Sequence, residues 1–254
     1  MSVCRRATIL ITFAIGTVLQ GAQPAPVLVE LFTSEGCSSC PPADALLQQL
    51  ERGKLVPGVT VIGMSEHVNY WNHQGWSDPF SSAQMTSRQQ NYEVRFRTDG
   101  LYTPQMVVDG AELISGSDSL RAQQAIALSA ERPKFDVTAE RAALGMLHVT
   151  ATLNPAAHST DGDVFLALVY DPEPSQVSKG ENAGKRLLHV SVVKSLKRVG
   201  EVSRNKSFDA RLPIRVDAKL ADPRAVVFVQ EHGQGRVLGA AEVSIRDSAG
   251  TVVR

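Results

Sequence analysis

The segment Gly36-Cys37-Ser38-Ser39-Cys40-Pro41-Pro42 constrains this chain more than any other. Before it runs Val27-Leu28-Val29-Glu30-Leu31-Phe32, nearly continuous in apolar residues, as a strand buried on both faces requires. After it, Leu46, Leu47 and Leu50 form one apolar helical stripe. Pro41-Pro42 suits a first helical turn, where no backbone N–H is needed, and Gly53 suits the helix end. Two thiols two residues apart at a strand-to-helix junction are placed to close and open one disulfide. So short a loop brings little chain-entropy stabilisation, which favours redox chemistry over a static bridge. A structural disulfide and a metal site stay open as alternatives.

The flanking pattern is that of an α/β domain over about 26–132. A second strand is expected over Val59–Met64 and a Gln-rich helix over Ser82–Phe96, with Met85, Tyr92 and Phe96 facing inward. Gln105–Val108 and Ala111–Ile114 read as two strands around Asp109-Gly110, a strong signal for a two-residue hairpin. Ser117 is placed to cap a last helix reaching about Ala130, and Pro133 marks a boundary. Beyond it short strands follow one another between Asn154-Pro155, Asp161-Gly162-Asp163, Asp171-Pro172 and Gly233-Gln234-Gly235. That spacing predicts an all-β, sandwich-like domain over about 134–254.

Composition narrows the function. Of 254 residues, 26 are Lys or Arg and 26 Asp or Glu, so no basic excess suggests a nucleic-acid partner. Hydrophobic content of 43% with 20% charged residues is that of a globular chain, not a disordered one. Residues 1–25 read as a signal peptide or N-terminal anchor: Arg5-Arg6, an apolar run from Ala7 to Leu19, then Gly21-Ala22-Gln23-Pro24. Export to a periplasmic or extracellular, oxidising compartment is therefore expected, with membrane attachment only through an uncleaved segment. Cys4 precedes the apolar run, so removal of the segment leaves Cys37 and Cys40 as the only thiols.

Several residues are candidates for the chemistry. Cys37, at the helix start, is the expected exposed nucleophile, and Cys40 the resolving thiol. Ser38-Ser39 would tune the pair by hydrogen bonding. Glu30, inside an apolar strand, either shuttles protons to Cys40 or turns to a polar rim. Tyr70, Trp71 and Trp76 form an aromatic wall for a substrate or ordinary packing. Cys37 and Cys40 with His67 or His73 make the alternative copper or zinc site, with Glu66 nearby in sequence. His148, His158, His189 and His232 read as surface or packing residues. The polar, Gly-rich stretch Ser178–Arg186 reads as a loop that docks on the redox domain, binds a partner or merely connects strands.

The strand and helix order, with CxxC opening the first helix and Thr103-Pro104 ahead of the hairpin, resembles the thioredoxin fold. That likeness implies a cis Pro104 whose loop, with Thr103, faces the disulfide. A closer resemblance is to the secreted bacterial family known as domain of unknown function 1223. It rests on Glu30-Leu31-Phe32-Thr33-Ser34-Glu35-Gly36-Cys37-Ser38-Ser39-Cys40-Pro41-Pro42-Ala43-Asp44, His67-Val68-Asn69-Tyr70-Trp71, Gly75-Trp76-Ser77-Asp78-Pro79-Phe80, Gly100-Leu101-Tyr102-Thr103-Pro104-Gln105 and Gly180-Glu181-Asn182-Ala183-Gly184. The expected activity is thiol–disulfide exchange on a protein or small thiol. It would need an external redox partner and no cofactor beyond the disulfide itself; a non-catalytic interaction module is the remaining alternative.

Overall fold

The structure is a computed structural model and describes residues 25–143, 145–157, 161–217 and 219–246. Residues 1–24 of the proposed targeting segment, Cys4 among them, and His158 lie outside the described residues. The first half runs β1 (Val27–Thr33), α1 (Pro41–Glu51), β2 (Val61–His67), α2 (Ala83–Phe96), β3 (Gln105–Val108), β4 (Glu112–Ser115) and α3 (Ser119–Ala130). The second half is β5 (Asp136–Ala142), β6 (Met146–Thr152), β7 (Gly162–Tyr170), β8 (Ser175–Gln176), β9 (Arg186–Leu187), β10 (Val192–Val202), β11 (Phe208–Pro213), β12 (Arg224–Gln230) and β13 (Val237–Ser244). Among the described residues no helix is long and apolar enough to cross a membrane.

β1 is buried along its whole length, as its apolar run requires. It pairs in parallel with β2, from Val27 opposite Val61 to Thr33 opposite His67, and antiparallel with β3. Val27, Val29 and Leu31 face α1 and α3, packing with Leu46, Leu47, Leu50, Ala122 and Ile126. The alternate residues face α2: Leu28 lies with Met64 and Met85, and Phe32 with Tyr92 and Val107. Asp109 and Gly110 both take positive φ, 48° and 59°, so the hairpin turn is of the expected kind. The cap of α3 is Asp118 rather than Ser117; its Oδ1 accepts the Arg121 N–H at 3.0 Å, one residue further into the turn.

One eight-stranded mixed sheet, in the order β13-β12-β7-β10-β2-β1-β3-β4, takes strands from both halves of the chain. The join is between β10 and β2: Val192 lies opposite Ser65, and the Ser65 N–H donates to the Ser191 carbonyl at 2.8 Å. A second sheet, β11-β6-β5, packs over the far end of the first through Leu147, Val149 and Ala151 against Val164, Ala225, Val227 and Val229. The layering expected of the second half is therefore two sheets, one of them shared with the first half. Alternation along a strand records which face is buried. It carries no record of the neighbouring strand, so the sharing was invisible in the pattern.

The boundary near Pro133 is also tied down chemically. Lys134 Nζ donates to Asp109 Oδ2 at 2.6 Å and to the Pro26 carbonyl at 2.5 Å. Asp109 Oδ1 accepts the Leu28 N–H at 2.9 Å.

Candidate disulfide site

The site is built where β1 gives way to α1. The turn after Thr33 is closed by the Cys37 N–H to the Ser34 carbonyl at 3.2 Å and the Gly36 N–H to Ser34 Oγ at 3.1 Å. Cys37 and Cys40 form a disulfide, with Cα atoms 5.4 Å apart. The Cys40 carbonyl accepts the Ala43 and Asp44 N–H groups at 2.8 and 3.1 Å, which starts α1 directly beneath the pair. Both cysteines have 0% exposed surface, whereas Ser38 and Ser39 are exposed. This corrects the expectation of an exposed Cys37.

The Gly180–Gly184 loop between β8 and β9 lies across the turn as a strap. Asn182, fully buried, donates from Nδ2 to the Glu35 carbonyl at 2.8 Å and to the Cys37 carbonyl at 2.9 Å. Glu181 Oε2 accepts the Ser38 N–H at 3.0 Å. Lys185 Nζ in turn donates to Asn182 Oδ1 at 2.9 Å. Gly180, at φ +76°, passes so close to Trp76 that an added Cβ would sit 3.2 Å from its Cβ. Of the readings of Ser178–Arg186, docking against the CxxC turn is the one observed.

Behind the turn lies a buried polar network. Glu35 accepts the Trp76 indole N–H at 2.8 Å and pairs with His189 Nε2 at 3.2 Å. The Glu35 N–H donates to Asp78 Oδ2 at 2.9 Å, and the same oxygen pairs with His67 Nδ1 at 2.8 Å. His189 Nδ1 lies 3.8 Å from Asp44 Oδ2, one helical turn below Cys40. Burial by itself would raise the Glu35 and Asp78 pKa values. The bonds from His189, Ser175 and Trp76 to the one, and the charge and bond of His67 on the other, outweigh it and hold both below their ordinary values. For Asp44 burial wins and its pKa is raised. Burial pushes His67 down, but its contact with Asp78 prevails and leaves it raised.

The other candidate residues divide. Trp71 joins the two loops of the site: a Cβ on Gly36 would meet its Cβ at 3.0 Å, and its indole N–H donates to Thr103 Oγ1 at 2.8 Å. Thr103-Pro104 is a cis peptide, and the Pro104 carbonyl accepts the Gly116 N–H at 2.9 Å. Tyr70 lies beside Trp71, with ring centroids 6.4 Å apart, on the cluster of Phe32, Val68 and Tyr92. Trp76 is a partner of Glu35, as above.

Glu30 has neither of its expected places. Its side chain points to α2, where Arg88 Nε and the Tyr92 hydroxyl donate to it at 2.5 Å each. Because α1 packs on the opposite face of β1, a proton path from Glu30 to Cys40 is replaced by an ion pair on the far side of the strand. His67 is buried against Asp78 and His73 is exposed, so the two do not converge. Among the described residues no group of three or more His, Cys, Asp or Glu side chains is arranged to hold a metal ion. Residues that the sequence reading missed are Glu35, Asp44, Asp78, Asn182 and His189. His189 and Asn182 reach the turn from separations of 154 and 147 residues, and no local spacing signals that.

Fold and site together define a mixed α/β protein whose long sheet carries a CxxC disulfide at the start of its first helix. A family model described as a protein of unknown function, DUF1223, matches residues 28–230, and the chain belongs to that family. A crystal structure of an Agrobacterium tumefaciens protein, from a structural genomics programme, is similar at 27% identity and a TM-score of 0.69. The match covers 87% of this chain and 96% of that one. The comparison with curated proteins gave no match.

Proposed function

We propose that this is an exported, thioredoxin-like protein that carries out thiol–disulfide exchange through Cys37 and Cys40. The observation that carries the reading is the placement of the disulfide at the start of α1, with Trp71 linking its turn to the Thr103-Pro104 loop. In the reduced protein the Cys37 thiolate attacks one sulfur of a substrate disulfide, forms a mixed disulfide and releases the first substrate thiolate. The Cys40 sulfur, losing its proton, then attacks the Cys37 sulfur and releases the second. The protein goes from dithiol to disulfide as the substrate goes from disulfide to two thiols; the reverse sequence oxidises a dithiol. Substrates are proteins or small thiols, and turnover needs an external redox partner. The chemistry needs no cofactor, and no nucleic acid takes part.

The test is equilibration of the full chain against glutathione buffers, with Cys37–Cys40 scored by alkylation, in the presence and absence of copper or zinc. A two-electron transition within the glutathione range, and a Cys37-linked mixed disulfide that persists in Cys40→Ala, are expected. A pair that stays oxidised throughout, with no mixed disulfide trapped, would overturn the reading. So would a stoichiometric metal retained by the reduced protein through dialysis.

A further inference from the structure

A thiolate forming at Cys37 needs hydrogen-bond donors, and the backbone around it has few to offer. The Cys37 N–H is taken by the Ser34 carbonyl, the Cys40 N–H by the Cys37 carbonyl and the Ser38 N–H by Glu181, which leaves the Ser39 N–H as the backbone donor of the turn open to a thiolate. Pro41 and Pro42, the first residues of α1, have no N–H at all. The Ala43 and Asp44 N–H groups both go to the Cys40 carbonyl. Of the side chains, Ser39 Oγ stands 3.3 Å from Cys37 Sγ. The general expectation that a helix start favours a cysteine anion is thus weakened here by the chain's own hydrogen bonding.

Glu181 contributes twice to that weakening. It occupies a donor next to Cys37, and it places a solvent-facing negative charge on the residue adjoining the sulfur. The Ser38 bonds hold the Glu181 carboxyl below its ordinary pKa, so it is ionised at neutral pH. The other charged groups near the turn are already engaged. Lys185 is bonded to Asn182 Oδ1 on the strap, and Glu35, Asp44, Asp78, His67 and His189 contact one another behind it. Asn182 fixes the strap, and so the carboxylate, through its two bonds to the turn.

Taking Cys37 as the nucleophile of the exchange reaction proposed above, we infer that Glu181 is a positioning residue that holds down Cys37 reactivity. It does so by withholding the Ser38 N–H and opposing the thiolate's charge.

The inference is tested on the reduced full chain carrying Cys4→Ser and Cys40→Ala, with Cys37 alkylation by iodoacetamide followed against pH. Glu181→Gln keeps an acceptor for Ser38 and removes the charge. The expected result is a lower pH midpoint and alkylation about threefold faster below it, the effect of one charge a few ångströms away through water. In 1 M salt the difference should largely vanish, since an exposed charge is screened. Glu140→Gln, an equal change in net charge on exposed β5, should leave the profile unmoved. An unchanged midpoint in Glu181→Gln, or a shift that persists in full at 1 M salt, overturns the role of Glu181. Failure of Cys37 in the Glu181 parent to form a mixed disulfide with glutathione disulfide would instead overturn the exchange reading.

Discussion

Glu30 shows how the environment of one residue decides its role. It is fully buried beside a second buried carboxyl, Glu66, with Arg88 between them at 2.5 and 3.5 Å. Burial first, and then the neighbouring Glu30 charge, push Glu66 well above the ordinary carboxyl pKa, so it is held neutral while Arg88 pairs with Glu30. Arg88→Met would leave Glu30 buried without its counter-charge; a loss of about 3–5 kcal/mol in urea unfolding is expected. Glu30→Gln should leave the rate at which Cys40 resolves a mixed disulfide within about twofold of wild type, since the side chain is on the α2 face of β1. A tenfold slowing would restore a proton path.

Glu51 is a second carboxyl in which burial prevails. Burial pushes its carboxyl from 4.5 up to about 7, against the bond from Ser191 and the charge of Arg224. A raised folded pKa means that the folded state holds the proton more tightly. Its stabilising effect is full below 4.5 and is lost progressively as pH rises through about 7. The loss amounts to roughly 3 kcal/mol. Glu51→Gln, which keeps an acceptor for the Gly63 N–H, should flatten stability over that range in denaturant titrations at stepped pH.

At the scale of elements, the strap and the CxxC turn form one unit although they come from different halves of the chain. Asn182→Ala removes donors from two carbonyls in a buried setting, those of Glu35 and Cys37. A destabilisation of roughly 1–3 kcal/mol is expected. A second readout separates this from a general loss of packing: reduction of the native disulfide by dithiothreitol should accelerate more than global unfolding does. The reason is that both cysteines are buried and Asn182 holds the strap directly to their turn. Equal acceleration of the two processes would place the effect in the fold as a whole.

Considered as a whole molecule, the chain is organised by a sheet that crosses its midpoint. β2 has β1 on one side and β10 on the other, and the disulfide turn takes bonds from Asn182, Glu181 and His189. The ion pair of Lys134 with Asp109 closes the same seam. A fragment ending at residue 132 loses all of these and bares the β2 edge. Such a fragment should fail to fold, giving disordered or aggregated material by far-UV dichroism and gel filtration. A monomeric, cooperatively unfolding fragment would show that the first half is independent.

The local elements, and the cysteine pair at their junction, are legible in short stretches of the sequence. The apolar run Val27–Phe32, the leucine stripe of α1, the Asp109-Gly110 turn and the Cys37–Cys40 spacing each depend on a few neighbouring residues and on periods of two or 3.6. Those features reappear in β1, α1, the β3–β4 hairpin and the disulfide. That β10 lies beside β2, that Glu30 faces Arg88, and that Asn182 and His189 reach the CxxC turn is settled only when the chain packs. The physical reason is the range of the interactions. Side-chain period and turn conformation are written in adjacent residues. Strand neighbours, buried ion pairs and the cover over a disulfide arise only when segments far apart in the chain are packed together and each buried polar group must find a partner.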